Sequence, residues 1–418
     1  MTLLKNREIV SWAMYDWANS AYATVVLAGF FPIFFKQYWS VGNDVTTSTF
    51  QLGVANSLAS LIVVLLAPVL GAIADAGAKR KFFLFSFAVL GMLTTAALFT
   101  VEKNAWWLAA LLFVIATIGF SGANVFYDAL LKTVSPANRL DAVSALGYAM
   151  GYLGGGILMA FNVVMFQNPE WFGFVDEAEA IRTGFIAVAI WWAIFSLPLL
   201  FYVHEPSAKG KSVRGKKMVS AGFRQLMVTF HHIRQHRQIV LFLFAYWLYI
   251  DGVDTIVRMA VDFGMALGFN SGDLIVALLI TQFVGFPSAI AFGWLGERIG
   301  TKRGIFLALS VYIIVTIMSY WMKDVSQFYI LAVVIGLVQG GVQSLSRSFY
   351  ARMIPAGHEA EFFGFYNMLG KFAAVIGPLL MGAVAIMTGS TRVSILSLLV
   401  LFISGAILLY FVKADKPA

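Results

Sequence analysis

The sequence predicts an all-α membrane protein. It has twelve spanning helices in two six-helix halves, with both termini cytoplasmic. Three observations lead to this class. The 418 residues are 60% hydrophobic and 12% charged, with a mean hydropathy of +0.82. That charged share is about half of the roughly 25% found in soluble domains, and no soluble core hides so much apolar surface. Apolar runs long enough to span a bilayer occur twelve times. The second six runs also repeat features of the first six.

A spanning helix needs roughly 20 mostly apolar residues. The runs lie at about 11–36, 50–74, 81–100, 105–131, 140–166 and 181–203, then about 238–266, 273–296, 303–322, 327–351, 361–387 and 392–412. The units are therefore a first half over 1–203, a linker over 204–237 and a second half over 238–418. The start "MTLLKNREIV" resembles a signal peptide. The run after it is too long, carries Asp16 and lacks a small-residue cleavage site, so it is read as a retained first span. The linker is rich in Lys and Arg. Its "SAGFRQLMVTFHHIRQHR" has helical periodicity and is expected to lie on the membrane surface as an amphipathic helix. Its histidines, with His204 upstream, have no acidic or cysteine neighbours to complete a metal site, so they are read as part of a solvated basic face. There is no cysteine, which excludes disulfides and thiol chemistry.

Loop charge sets the orientation. Twenty Lys and Arg fall on the side of the N-terminus and five on the other. This puts the termini and the linker in the cytoplasm; a bacterial cytoplasmic membrane is the expected location. The net charge of +8 is assigned to these loops and not to a nucleic-acid partner. Membrane lipid is the expected surrounding, and a monomer is expected.

The repeat is visible in two places. "GAIADAGAKRKFF" follows span 2 and "GWLGERIGTKRGIF" follows span 8. At an offset of 222, Gly71 meets Gly293, Asp75 meets Glu297 and Arg80 meets Lys302. Positive-inside charge alone would not double the Gly-x-x-x-acid spacing. Spans 4 and 10 end at Pro136 and Pro355, and at that offset of 219 Gly122 meets Gly341 and Asp128 meets Arg347. Halves of equal topology imply parallel repeats about an axis along the membrane normal.

The doubled loop resembles that of the major facilitator superfamily, although the first copy has Ala78 where the second has Gly300. A narrower resemblance covers nearly the whole chain. It rests on "YDWANSAYAT", "FYDALL", "GYAMGYLGGG", "DGVDTIVRMA", "GLVQGGVQSLSRSFYARMIP" and "AEFFGFYNMLGKFAAVIGPLLMG". These resemble the "unknown major facilitator" family, relatives of the fungal vacuolar amino-acid effluxer linked to autophagy. Asp254 departs from the uncharged polar residue expected there. The resemblance implies the facilitator fold and a secondary transporter of amino acids or small peptides.

Charge inside a bilayer costs about 2.5–3.5 kcal/mol on insertion scales, so it faces partners or water. In span 7, Asp251, Asp254, Arg258 and Asp262 share one helical face. Asp251 and Asp254 are candidate proton-coupling residues. The alternative is a self-satisfied ion-pair row, with Arg258 neutralising the acids one turn away. Asp16, nearer the cytoplasm, is either a third proton site or an anchor for the end of span 1. Lys371 lies near mid-membrane with Asn367 one turn before it, and both are read as facing a substrate or an acid of span 7. Tyr366, Tyr15, Asn19, Tyr148, Tyr152 and Arg258 complete the candidate substrate contacts. Gly147, Gly151 and Gly155 are read as close helix packing. "GPLLMG" resembles a glycine-proline motif of facilitator antiporters, or marks a kink at Pro378.

In the facilitator fold the resemblance implies, spans 4 and 10 approach each other on the cytoplasmic side. Asp128 and Arg347 are therefore expected to form a gate, made when the inside is shut. The alternative is that Asp128 pairs with Lys132 in its own half. Lys132, Asp75 and Glu297 join the gating candidates. The leading function is a proton-coupled transporter of small zwitterions. The alternatives are an exporter of drugs or other amphiphiles, and a receptor of the same fold that binds without flux. HExxH, GxSxG and phosphate-loop motifs are lacking, so no enzyme and no cofactor is expected.

Overall fold

The computed structural model describes residues 3–42, 45–77, 79–205 and 236–413. The expected linker helix, with His231 and His232, lies outside the described residues. Helix α1 covers Arg7–Trp39, with π-helical geometry over Tyr22–Phe30 and Phe35–Trp39. It is followed by α2 (Val45–Gly77), α3 (Arg80–Ala97), α4 (Trp106–Val134), α5 (Leu140–Gln167) and α6 (Glu177–Tyr202). The second half comprises α7 (Arg237–Ala266), α8 (Ser271–Ile299), α9 (Thr301–Ser319), α10 (Val325–Met353) and α11 (Glu359–Thr388). In α12, the turns Thr391–Leu396 and Leu398–Phe411 follow one another. Eleven helices among the described residues are long and apolar enough to cross a membrane. The remaining one, α11, is 30 residues long.

The helices stop for local reasons. Ser135 and Ile354 both sit in extended conformation, because each precedes a proline that disfavours the helical region. Asp176 caps α6 by accepting from the Glu179 N–H, and Asp324 caps α10 by accepting from the Gln327 N–H. Between α8 and α9 the chain turns through Gly300 at φ 94°, a conformation other residues rarely adopt.

The halves meet most extensively where α2 packs on α11 and α5 on α8, and α4 and α10 also reach across, to α11 and α5. The glycines of the doubled loop make the first two approaches possible. A Cβ on Gly71 would fall 2.3 Å from the Ala360 carbonyl oxygen, and one on Gly293 would fall 2.4 Å from Ala145 Cβ. The two residues that the repeat aligns therefore do the same job in opposite halves. The outer helices α3, α6, α9 and α12 expose large apolar side chains such as Leu93, Phe201, Ile314 and Val400, the surface that hydrocarbon requires.

Contacts fix which ends lie together. Lys81 Nζ donates to the carbonyls of Leu200 and Val203 at the end of α6, and Lys302 Nζ donates to those of Tyr410 and Val412 at the end of α12. His204 reaches Glu8 at the start of α1. The doubled loop and the ends of both halves therefore share one end of the bundle, the basic end. The roles differ from the sequence alignment by one residue: Lys81, not Arg80, is the functional counterpart of Lys302. Cations at helix C-termini satisfy carbonyls that have no partner within the helix.

Candidate functional site

Arg347 of α10 is buried between the halves. Its Nη1 lies 3.1 Å from Asp128 Oδ1 and 3.6 Å from Asp16 Oδ2. Its Nε donates to Ser144 Oγ at 3.0 Å and its Nη2 to the Ser144 carbonyl at 2.8 Å. The guanidinium lies 4.2 Å from the Tyr148 ring, 5.0 Å from that of Trp12 and 5.5 Å from that of Tyr127. The fixed fork and flat faces of arginine suit this combination of acids, hydroxyl and rings, and a lysine would not reproduce it.

The two acids are themselves held. Asn367 Nδ2 donates to Asp128 Oδ2 at 3.0 Å, and the Tyr127 hydroxyl donates to Asp16 Oδ2 at 3.0 Å. Asn367, expected to face a substrate, thus contacts the Asp128 carboxylate in this form. Asp16 lies in the same cluster and does not stand alone at the helix end. Gly147 gives this cluster its room: a Cβ there would sit 2.9 Å from Arg347 Nη2 and 2.8 Å from the Tyr127 hydroxyl. Gly151 and Gly155 admit Ser20 Oγ and Thr24 Oγ1 of α1, the close packing expected of them.

Toward the basic end, two sets of contacts join the halves. In one, Asp75 Oδ1 lies 2.7 Å from Arg80 Nε, and Asp75 Oδ2 accepts from the Glu361 N–H at 2.9 Å. Arg80 also pairs with Glu359 at 2.6 Å. Lys132 Nζ donates to the Ile354 carbonyl at 2.7 Å and lies 3.8 Å from Glu359. Lys132 therefore reaches across to the other half, and the reading that pairs it with Asp128 is not what the structure adopts. In the second set, Asp141 accepts from Arg352 at 2.7 Å, from Thr301 Oγ1 at 2.8 Å and from Ser348. Arg139 pairs with Glu297 at 3.5 Å. Just before the first turn of α11, His358 Nδ1 lies 3.2 Å from Glu361 Oε2, and that hydrogen bond holds its imidazole above the ordinary histidine value.

Deeper along α7, Asp251 is 1% exposed. Its Oδ1 accepts from the Gly377 N–H at 3.0 Å and from Thr255 at 3.2 Å. Gly377 precedes Pro378, whose ring disrupts the local helix ladder of α11. A Cβ on Gly377 would fall 2.8 Å from Asp251 Oδ1. Asp251 Oδ2 is buried without a hydrogen-bond partner among the described residues. Arg258, exposed on α7, makes no ion pair with Asp251 among the described residues, so the expected row of mutually satisfied charges is not formed at that acid. Asp254 lies half-buried one turn on. The side chains of Asp262 and Lys371 lie outside the described residues.

The other candidates divide between the halves. Asn19 Nδ2 donates to Asn124 Oδ1 at 2.5 Å, wholly within the first half. Tyr152 crosses to the second half, where its hydroxyl donates to Gln343 Oε1 at 3.0 Å. Tyr366 stacks on Tyr246 at 4.1 Å, and the Tyr15 ring lies 5.1 Å from that of Tyr127. Sequence reasoning missed Asp141, Glu359, Glu361, Ser144 and Ser348. The signal for the acids was present: each stands within six residues after Pro136 or Pro355, in the first turn of α5 or α11.

A family profile described as "Vacuole effluxer Atg22 like" matches residues 38–135 and 132–418. The uncharacterized MFS-type transporter YxiO of Bacillus subtilis is 40% identical over 97% of this chain and 94% of its own. Autophagy-related protein 22 of Eremothecium gossypii is 25% identical over 93% of this chain and 87% of its own. Among solved structures, the human organic anion transporter MFSD10 (TETRAN) superposes with a TM-score of 0.70 at 16% identity, covering 96% of this chain and 99% of its own. The proton:xylose symporter XylE superposes with a TM-score of 0.71 at 12% identity, covering 98% and 95%. At these identities the structural likeness speaks for the fold.

Proposed function

The chain belongs to the Atg22-like effluxer family and is a major facilitator transporter, and from that premise we propose that it carries a small zwitterion, an amino acid or short peptide, across a bacterial cell membrane in a proton-coupled cycle. The observation that carries the reading is the buried contact of Arg347, in the second half, with Asp16 and Asp128 of the first. A facilitator alternates access by moving one half against the other. Parting these groups leaves two carboxylates on one wall and a guanidinium on the other. A molecule with an ammonium and a carboxylate complements both, which lowers the cost of leaving buried charges unpaired.

In this reading the basic end is cytoplasmic, and the form described is shut there. The two sets of contacts around Asp75 and Asp141 act as outer latches, and the Arg347 cluster is the inner gate. Asp251 takes the coupling proton, because one of its oxygens is buried with no donor among the described residues. Asp254 lies one turn away on the same helix. Lys371, on the face of α11 one turn after Asn367, takes the substrate carboxylate.

Counterflow in liposomes reconstituted with the purified protein tests the proposal, with pools of labelled amino acids and dipeptides. Exchange of a zwitterion that is lost in Lys371→Ala supports it. Binding of a zwitterion without exchange would make the protein a receptor. Exchange confined to uncharged amphiphiles would favour the exporter reading.

A further inference from the structure

The second half contains a cavity that the axial cluster does not use. It is lined by α7, α8 and α10 and closed by α9, α11 and α12, with Met259, Phe263, Leu274, Phe328, Leu331 and Met381 among its walls. All its described lining residues fall between 256 and 398, so none of them belongs to the first half. It holds about 820 Å³ of space free of protein atoms, its mouth included.

The chemistry of the walls is selective. No ionisable side chain is among the described residues that line it. Two of the hydroxyls on the lining are already committed. Thr281 donates to the carbonyls of Ala277 and Ala332 at 3.0 and 3.3 Å, and Ser319 donates to that of Val315 at 2.8 Å. Gln339 of α10 is different: its Oε1 is buried with no hydrogen-bond partner among the described residues. Gln282 of α8 lines the same space. Buried amide oxygens in proteins are nearly always satisfied, and an orphan in a cavity wall calls for a donor from outside. Apolar walls whose described polar groups are two glutamine amides and two committed hydroxyls offer water few of the two to four partners it needs.

We propose that this cavity binds a neutral single-chain amphiphile, its apolar chain against the walls and its hydroxyl or amide N–H on Gln339 Oε1. A neutral head suits it better than an ionised one, because the described lining offers no counter-charge and burying an unpaired charge is costly. The site is therefore separate from the axial one and does not depend on the identity of the transported zwitterion.

The test uses the full chain in lipid nanodiscs and 1-dodecanol bearing a terminal diazirine. After irradiation, labelled peptides are mapped by mass spectrometry. Labels are expected on the segments of α7, α8 and α10 that line the cavity. Unlabelled 1-dodecanol should compete at least about tenfold better than dodecanoate. Ala332→Phe, which fills the space, should abolish the labelling. Gln339→Leu keeps the volume and should weaken 1-dodecanol about tenfold while leaving dodecane competition unchanged. Thermal unfolding of both variants controls for folding, and Gln339→Leu decides the matter alone if Ala332→Phe does not fold. Labels spread over the lipid-facing helices, equal competition by dodecanoate, or an unchanged preference for the alcohol in Gln339→Leu would each overturn the proposal.

Discussion

Arg347 and Asp128 stand 219 residues apart in the sequence, at matching places in the two halves, and their side chains meet at 3.1 Å. Asp16 joins them at 3.6 Å through the same guanidinium nitrogen. Removing one partner of a buried pair costs about 3–5 kcal/mol, since the other charge is left without compensation. Arg347→Ala is therefore expected to depopulate the form shut at the basic end more than Asp128→Ala, because Asp16 still faces the arginine in the latter. The chain has no native cysteine, so spin labels at the exposed positions Ala137 and Ala356 report the distance directly. Exchanging the two residues should recover only part of the shut population: an aspartate at 347 cannot replace the bonds to Ser144 or the stacking on Tyr148. Unchanged distance distributions in both single variants would rule out a gate at this pair.

Gly147 is predicted to be intolerant of even one methyl group. Its Cβ would meet Arg347 Nη2, the Tyr127 hydroxyl and the Trp12 ring, all within 3.0 Å. Overpacking of this kind costs about 1–3 kcal/mol. Gly147→Ala should lower the thermal midpoint, while Gly53→Ala, with nothing within 4 Å of the added carbon, should leave it equal or higher. Equal midpoints for Gly147→Ala and the parent protein would contradict this account of the cluster.

Asp251→Asn separates the two roles of that side chain. The amide oxygen can still accept from the Gly377 N–H, so α11 should keep its shape and the protein its stability within about 1 kcal/mol. Gradient-driven accumulation should disappear while exchange of substrate persists. Accumulation at the parent rate would remove Asp251 from proton coupling.

His358 makes the latch around Asp75 sensitive to pH. The Glu361 carboxylate holds its imidazole above the ordinary value of 6.5. Glu359 and Asp75 also bear on it, and Arg80 and Lys132 complete the surrounding charges. A raised value means that the protonated form supports the latch. That contribution is complete below the ordinary histidine range and is lost as pH rises through the raised value. The shut population should fall across that interval, and His358→Gln should flatten the dependence. An identical pH profile in the variant would assign the effect elsewhere.

Lys302→Met should destabilise the end of α12 by roughly 1–2 kcal/mol, and Lys81→Met the end of α6 by a similar amount, since each removes the donor to two terminal carbonyls. Hydrogen exchange of those last turns measures this. Faster exchange confined to the matching helix is the expected result.

The sequence by itself determined the all-helical membrane class, the opposite charges at 128 and 347, and the repeat spacing that aligns Gly71 with Gly293. Those features are written in one dimension, as apolar run length and as repeat spacing, and helix geometry carries them into three. The tertiary structure decided which groups meet. It turned Lys132 toward Ile354 and Glu359 instead of Asp128, brought Asn367 to Asp128, gathered Asp16 into the Arg347 cluster and set Asp251 on the Gly377 N–H. Each choice depends on how far a helix is rotated about its own axis against its neighbours. That rotation is fixed by packing between residues a hundred or more positions apart, through close approaches such as Gly147 against Arg347, and no local pattern of spacing encodes it.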